Sequence, residues 1–267
     1  MDLDQSLSGI QTNGFCIIED VIPASQCKDV RDSVLATVEQ DRGNYNPETA
    51  VGFLPGVINH NQSFAPYLAD QRLLGMADRL LGHGVRISFT SAIVNQPGNA
   101  RGRWHADWPF NQKNAGHIPP PYPDAVLHLT TLWMLSPFSE ENGGTLVMPG
   151  SHRTLTNPTA GNGVDRTDPF PGEMKVCGRA GSVLVLDSRL WHATAPNASE
   201  QPRVALAVRY APWWLNLEVL RPESQERKRL TSATGKSDNK VPSVPQEVFK
   251  RLPDEVQKLY QHWVVGD

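Results

Sequence analysis

Two residues spaced for metal chemistry stand in Trp104-His-Ala-Asp107, and a third possible ligand, His192, follows in Trp191-His-Ala193. On an extended segment, residues i and i+2 project to the same side. An imidazole at 105 and a carboxylate at 107 can therefore reach one ion without distorting the backbone. A second imidazole from a distant segment gives two neutral nitrogens and one carboxylate on one face of the ion, with the opposite positions open. That donor set suits Fe(II) in non-haem oxygen chemistry. His-x-Asp alone is a common chance pattern, so the weight falls on what accompanies it. Arg203 heads the apolar run Arg203–Tyr210, eleven residues after His192. A cation at the start of a core strand needs an anionic partner, and a planar guanidinium fits a carboxylate in a bidentate pair. Thr194, two residues after His192, is placed to add a hydroxyl to the same carboxylate.

The elements that position these residues fall into two textures. Up to about residue 84 the chain reads as helices around one strand. A short helix ends at Gly14, and Phe15–Ile18 is a strand. Pro23 opens a helix with Cys27, Val30, Val34 and Val38 on one face and Gly43 as its stop, and Phe64–Leu81 is a second helical stretch. From Val85 on, short β-type runs alternate with Gly, Pro and Asn: 85–94, 104–107, 125–135, 145–148, 182–187, 191–194 and 203–210. Residues 183–186 are apolar at every position, as in a strand covered on both faces. Helix returns over about 245–264. The expectation is one domain over 1–267, mainly β with flanking helices, with its β core at about 85–212 and helices on one outer face.

Four segments carry a resemblance: Gly14–Asp20, Trp104–Asp107, Glu141-Asn-Gly-Gly-Thr-Leu-Val-Met-Pro-Gly-Ser-His152, and Gly181–Asp187 with His192 and Pro202-Arg203. On these the chain resembles the phytanoyl-CoA dioxygenase family of Fe(II)/2-oxoglutarate oxygenases over roughly residues 12–212. The resemblance implies a double-stranded β-helix (jelly roll, cupin-like). It implies Fe(II) on His105, Asp107 and His192, and the distal carboxylate of 2-oxoglutarate on Arg203 and Thr194. It also implies a polar residue near the cosubstrate's metal-binding end, Gln96 with Asn95 as its competitor, and an aromatic, Trp133, lining the cosubstrate. The reaction implied is hydroxylation of an unactivated C–H by O2, with release of succinate and CO2. Related halogenases carry a small residue in place of the metal carboxylate. Asp107 is present here, which favours oxygenation.

Net charge is −3 with no basic run, which argues against nucleic acid. No apolar run approaches the roughly 20 residues that span a bilayer, and the first ten residues lack a secretory core. A cytoplasmic location, as monomer or homodimer, is the expectation. Three widely spaced cysteines, Cys16, Cys27 and Cys177, make neither a disulfide framework nor a zinc site and read as buried thiols. For a small organic substrate, the candidates are Trp108 and Phe110 in a loop at 108–124, Phe53 in a loop at 43–62, and Arg209, which shares the alternation of Arg203. A zinc-type metallohydrolase would use the same three ligands but needs a positioned general base. A non-catalytic jelly-roll binding protein is the other alternative.

Overall fold

The computed structural model describes residues 3–41, 45–161 and 163–264. Its centre is a seven-stranded antiparallel sheet, built from β1 (Phe15–Ile18), β2 (Tyr45–Asn46), β3 (Val51–Pro55), β4 (Arg86–Asn95), β5 (Leu129–Met134), β8 (Val183–Asp187) and β10 (Arg203–Ala211) in the order β1-β8-β5-β10-β4-β3-β2. A smaller antiparallel sheet pairs β7 (Met174–Val176), β6 (Thr145–Val147) and β9 (His192–Ala193) in the order β7-β6-β9. Two antiparallel sheets enclosing a core form the expected double-stranded β-helix.

Parity along the strands decides which side chains meet which layer. On β10, Val204, Leu206 and Val208 join Trp133, Val183 and Val185 in the core under the helices. Ala205 and Ala207 join Leu132, Met134, Leu184 and Leu186, facing Val147 and Val176 of the small sheet. The central strands are thus apolar on both faces because both faces are covered, as residues 183–186 indicated.

The helical layer comprises α1 (Leu3–Asn13), α2 (Ala24–Gln40), α3 (Gln71–Leu81), α4 (Gln225–Thr234), α5 (Gln246–Phe249) and α6 (Asp254–Tyr260). Cys27, Val30, Val34 and Val38 are the buried stripe of α2. Asp70 starts α3 by accepting the backbone N–H groups of Arg72 and Leu73. Gly43, expected to stop α2, lies outside the described residues. Cys16 and Cys27 are buried, while Cys177 is only half-buried.

The structure departs from the sequence reading in three places that bear on function. Residues 104–107 are not a regular strand: His105 makes a single antiparallel bridge to His192. Phe53 lies on β3 rather than in a loop, because Val51–Pro55 pairs with Ser91–Asn95 of β4. Residues 108–124 do not line the cavity between the sheets. Ala115 donates to the Ser237 carbonyl and Gly116 to Asp238 Oδ2, which pins this segment to the C-terminal flank.

Candidate active site

The cavity between the sheets has a volume of about 160 Å³ and is lined by His105, Asp107, His192, Thr194, Arg203, Arg209 and Phe53, among others. Five expected site residues plus two substrate candidates therefore share one space. One donor atom from each of His105, Asp107 and His192 lies within 4.8 Å of the others. His105 Nε2 is 3.8 Å from Asp107 Oδ1, and His192 Nε2 is 3.6 Å from Asp107 Oδ2.

Backbone carbonyls fix both imidazoles. His105 Nδ1 is 2.8 Å from the Arg103 carbonyl, and His192 Nδ1 is 2.8 Å from the Leu190 carbonyl. A carbonyl only accepts, so each Nδ1 carries a proton, and Nε2 is the ring atom left to face the other ligands. Burial, then His192, push His105 down to about 4, so it stays neutral. Burial alone would raise the Asp107 carboxyl. The Arg209 guanidinium, aided by the Thr130 hydroxyl, outweighs it and holds the group well below the usual carboxylate range. Arg209 donates to Asp107 Oδ1 at 2.6 Å and Thr130 donates to Oδ2 at 2.7 Å. Two imidazole Nε2 atoms and an ionised carboxylate make a fitting donor set for a divalent ion.

Arg203 is 4% exposed. Its Nη1 donates to the Gly143 carbonyl at 2.7 Å and its guanidinium lies 4.3 Å from the centre of the Phe138 ring. Nε has no partner, and among the described residues no carboxylate pairs with this cation. Burial pushes its pKa down to about 10. A buried, unpaired guanidinium facing a cavity calls for an anionic ligand.

The remaining expectations separate by parity. Asn95 stands opposite Arg203 in the β4–β10 register, with both amide atoms buried and unpartnered. Gln96, one residue on, lines a groove with Val38, Glu39 and Tyr45 instead. Trp133 pairs in register with Leu206, on the helix-covered face, and its Nε1 donates to Thr131. It is packing, not a cavity wall. Trp108 is 2% exposed and meets His128 edge-on at 5.5 Å, and Phe110 packs against Tyr122 at 5.3 Å. Neither lines the cavity. Asp187 ends its strand in a turn and pairs with Arg189 at 2.8 Å. Sequence reasoning missed Thr130, although a threonine two residues before Leu132 on an apolar strand shares the cavity-facing parity.

A facial set of two imidazoles and a carboxylate in a double-stranded β-helix, beside a buried cation awaiting an acid, defines a non-haem iron dioxygenase that consumes 2-oxoglutarate. The model of the phytanoyl-CoA dioxygenase family matches residues 10–205, and the chain belongs to that family. It is 24% identical over 216 residues to an uncharacterised protein of Mycobacterium tuberculosis, covering 76% of this chain and 73% of that one. It is 27% identical over 231 residues to the ectoine dioxygenase of Nocardia farcinica, 74% of each chain. Among solved structures, HygX from Streptomyces hygroscopicus, with nickel, 2-oxoglutarate and hygromycin B bound, superposes with a TM-score of 0.62 at 19% identity, covering 79% of this chain and 88% of that one. That likeness is one of fold.

Proposed function

We propose that this enzyme hydroxylates an unactivated C–H bond of a small organic molecule, with His105, Asp107 and His192 holding Fe(II) and Arg203 and Thr194 holding the distal carboxylate of 2-oxoglutarate. The observation that carries the reading is the unpaired Arg203 guanidinium in the same cavity as the three ligands. A hydrolytic zinc site would have no use for it. In balance, one C–H, one O2 and one 2-oxoglutarate give one C–OH, one succinate and one CO2. Bound iron supplies the activation of O2 that couples the two oxidations.

The chain's own part is orientation and exclusion of water. The carbonyls of Arg103 and Leu190 hold both imidazoles in the ligating tautomer. Arg203, anchored by Gly143, fixes the cosubstrate's far end, and Asn95, opposite it in register, is a second polar candidate. The cavity is smaller than the ~300 Å³ lower bound typical for drug-sized ligands, so it suits the cosubstrate and the reacting part of a substrate. Phe53, 39% exposed and stacked on Phe89, is placed to wall the rest. Arg209 keeps Nε unpartnered while it holds Asp107, and so is a candidate for a polar substrate group.

The test is an anaerobic titration with Fe(II) and then 2-oxoglutarate, followed by visible absorption. A weak charge-transfer band that requires both additions is expected. Arg203→Ala should weaken 2-oxoglutarate binding on the order of a hundredfold, the loss of a buried charge-assisted pair, with iron binding kept. Asp107→Ala should lose the iron. No band in the wild type, with tight zinc in its place, would sink the proposal.

A further inference from the structure

Behind Asp107 lies a line of buried polar side chains that begins at Thr130 and continues through residues with no part in the roles above. Thr130 Oγ1 is 2.7 Å from Asp107 Oδ2, and Ser188 Oγ is 2.9 Å from Thr130 Oγ1. His128 Nδ1 is 2.7 Å from Ser188 Oγ, and Ser88 Oγ is 2.8 Å from His128 Nε2. Ser88, His128 and Ser188 are fully buried and Thr130 is 1% exposed.

Counting protons fixes the direction of this line. A carboxylate accepts, so Thr130 gives its one hydroxyl proton to Asp107. Thr130 can then only accept from Ser188. Ser188, its own proton committed, can only accept from His128, so Nδ1 of His128 carries hydrogen. Burial pushes this imidazole down to about 3, which leaves it neutral with a bare Nε2. That lone pair takes the proton of Ser88, whose 2.8 Å contact with Nε2 is far shorter than its 3.4 Å approach to the Arg209 carbonyl. Every donor points toward the carboxylate, so successive bonds polarise one another.

We propose that Ser88, His128, Ser188 and Thr130 form a one-way hydrogen-bond chain that positions the Asp107 carboxylate for the metal. The proposal rests on the reading of Asp107 as a ligand. Arg209 takes Oδ1 and the chain takes Oδ2, so the carboxylate plane is held from both sides. The imidazole is the fixed member, because its ring is wedged edge-on against Trp108 at 84°. A hydroxyl without that anchor is free to turn its proton elsewhere.

The probe is Co(II), read by its dissociation constant and visible d–d spectrum in Thr130→Val, Ser188→Ala and the double variant. Thr130→Val should weaken cobalt binding on the order of tenfold, as partners of metal ligands generally do. Ser188→Ala should weaken it less and shift the same band. The double variant should be no worse than Thr130→Val, because Ser188 acts only through Thr130. Losses that multiply in the double variant, or single variants with unchanged affinity, overturn the chain. Where Thr130→Val does not fold, long-range proton–nitrogen NMR on the wild-type protein decides. A His128 protonated at Nδ1 supports the chain, and one protonated only at Nε2 overturns it. Asp107→Ala separates the two readings, since undiminished cobalt binding there would remove the ligand assignment itself.

Discussion

Two arginines on one strand face the same cavity in different electrostatic states. Arg203 is unpaired, while Arg209 is spent on Asp107 and lies 4.7 Å from the Phe89 ring centre. Arg209→Met should keep the strand's packing and release one carboxylate oxygen. Metal affinity should then fall on the order of tenfold, and Arg209→Lys should restore it only in part, because an ammonium lacks the planar fork. Isothermal titration with Co(II) checks this, and an unchanged constant in the Met variant would remove Arg209 from the support of Asp107. The sequence made the shared parity of 203 and 209 legible because a charge on an apolar strand marks the face that has a reason to hold it. Trp133 carried no such mark. β5 is buried on both faces, so its tryptophan satisfied either parity equally well. Gln96 against Asn95 was the same ambiguity one residue apart, and the register with Arg203 separates them.

At the scale of elements, the turn Asn142-Gly143-Gly144 serves the cation. Gly143 has φ 80, and a Cβ there would stand 2.5 Å from the Pro196 carbonyl oxygen. A Cβ on Gly144 would stand 2.3 Å from the Val176 carbonyl oxygen. Only paired glycines let the turn approach that closely, and the Gly143 carbonyl is what holds Arg203 Nη1. Gly143→Ala should cost about 1–3 kcal/mol of stability and weaken 2-oxoglutarate binding more than metal binding. Parallel titrations with a thermal melt measure this, and equal losses would detach the turn from Arg203. Most strands were legible from turn residues and β-branched runs. The metal segment, expected as a strand, is only a single bridge, because one bridge suffices to align His105 with His192. β3 was hidden in a segment of mixed composition that becomes a strand only by pairing with β4.

For the molecule as a whole, the helical layer closes the outer face of the large sheet, and its C-terminal end is tied down by specific bonds. Trp263 Nε1 donates to the Ile87 carbonyl at 2.6 Å, and the Tyr260 and Thr90 hydroxyls are bonded. The layer was legible as amphipathic stripes, but these ties join residues far apart in sequence and left no local sign. Burial in this compact body pushes His128 and His262 down to about 3 from 6.5. Unfolded, each takes a proton near its ordinary value, so the stability present above that value is lost as pH falls through the window between the two. The slope should be about 1.4 kcal/mol per pH unit for each group. Denaturant unfolding across that range should show it, and His262→Phe should remove one group's share, with His105, pushed down to about 4, contributing over the upper part of the same window. A flat wild-type profile would contradict the buried, neutral state of both rings.

The bridge between the two histidines has a kinetic consequence. His105 N–H donates to the His192 carbonyl at 3.1 Å, and His192 N–H donates back at 3.0 Å. The spacing of the imidazoles is therefore held by a reciprocal backbone pair and not by two independently moving loops. Opening that pair exposes both amides to solvent deuterium and parts both imidazoles in a single fluctuation. Escape of the ion to a chelator and isotope exchange at these two amides should then share one rate-limiting opening and one temperature dependence.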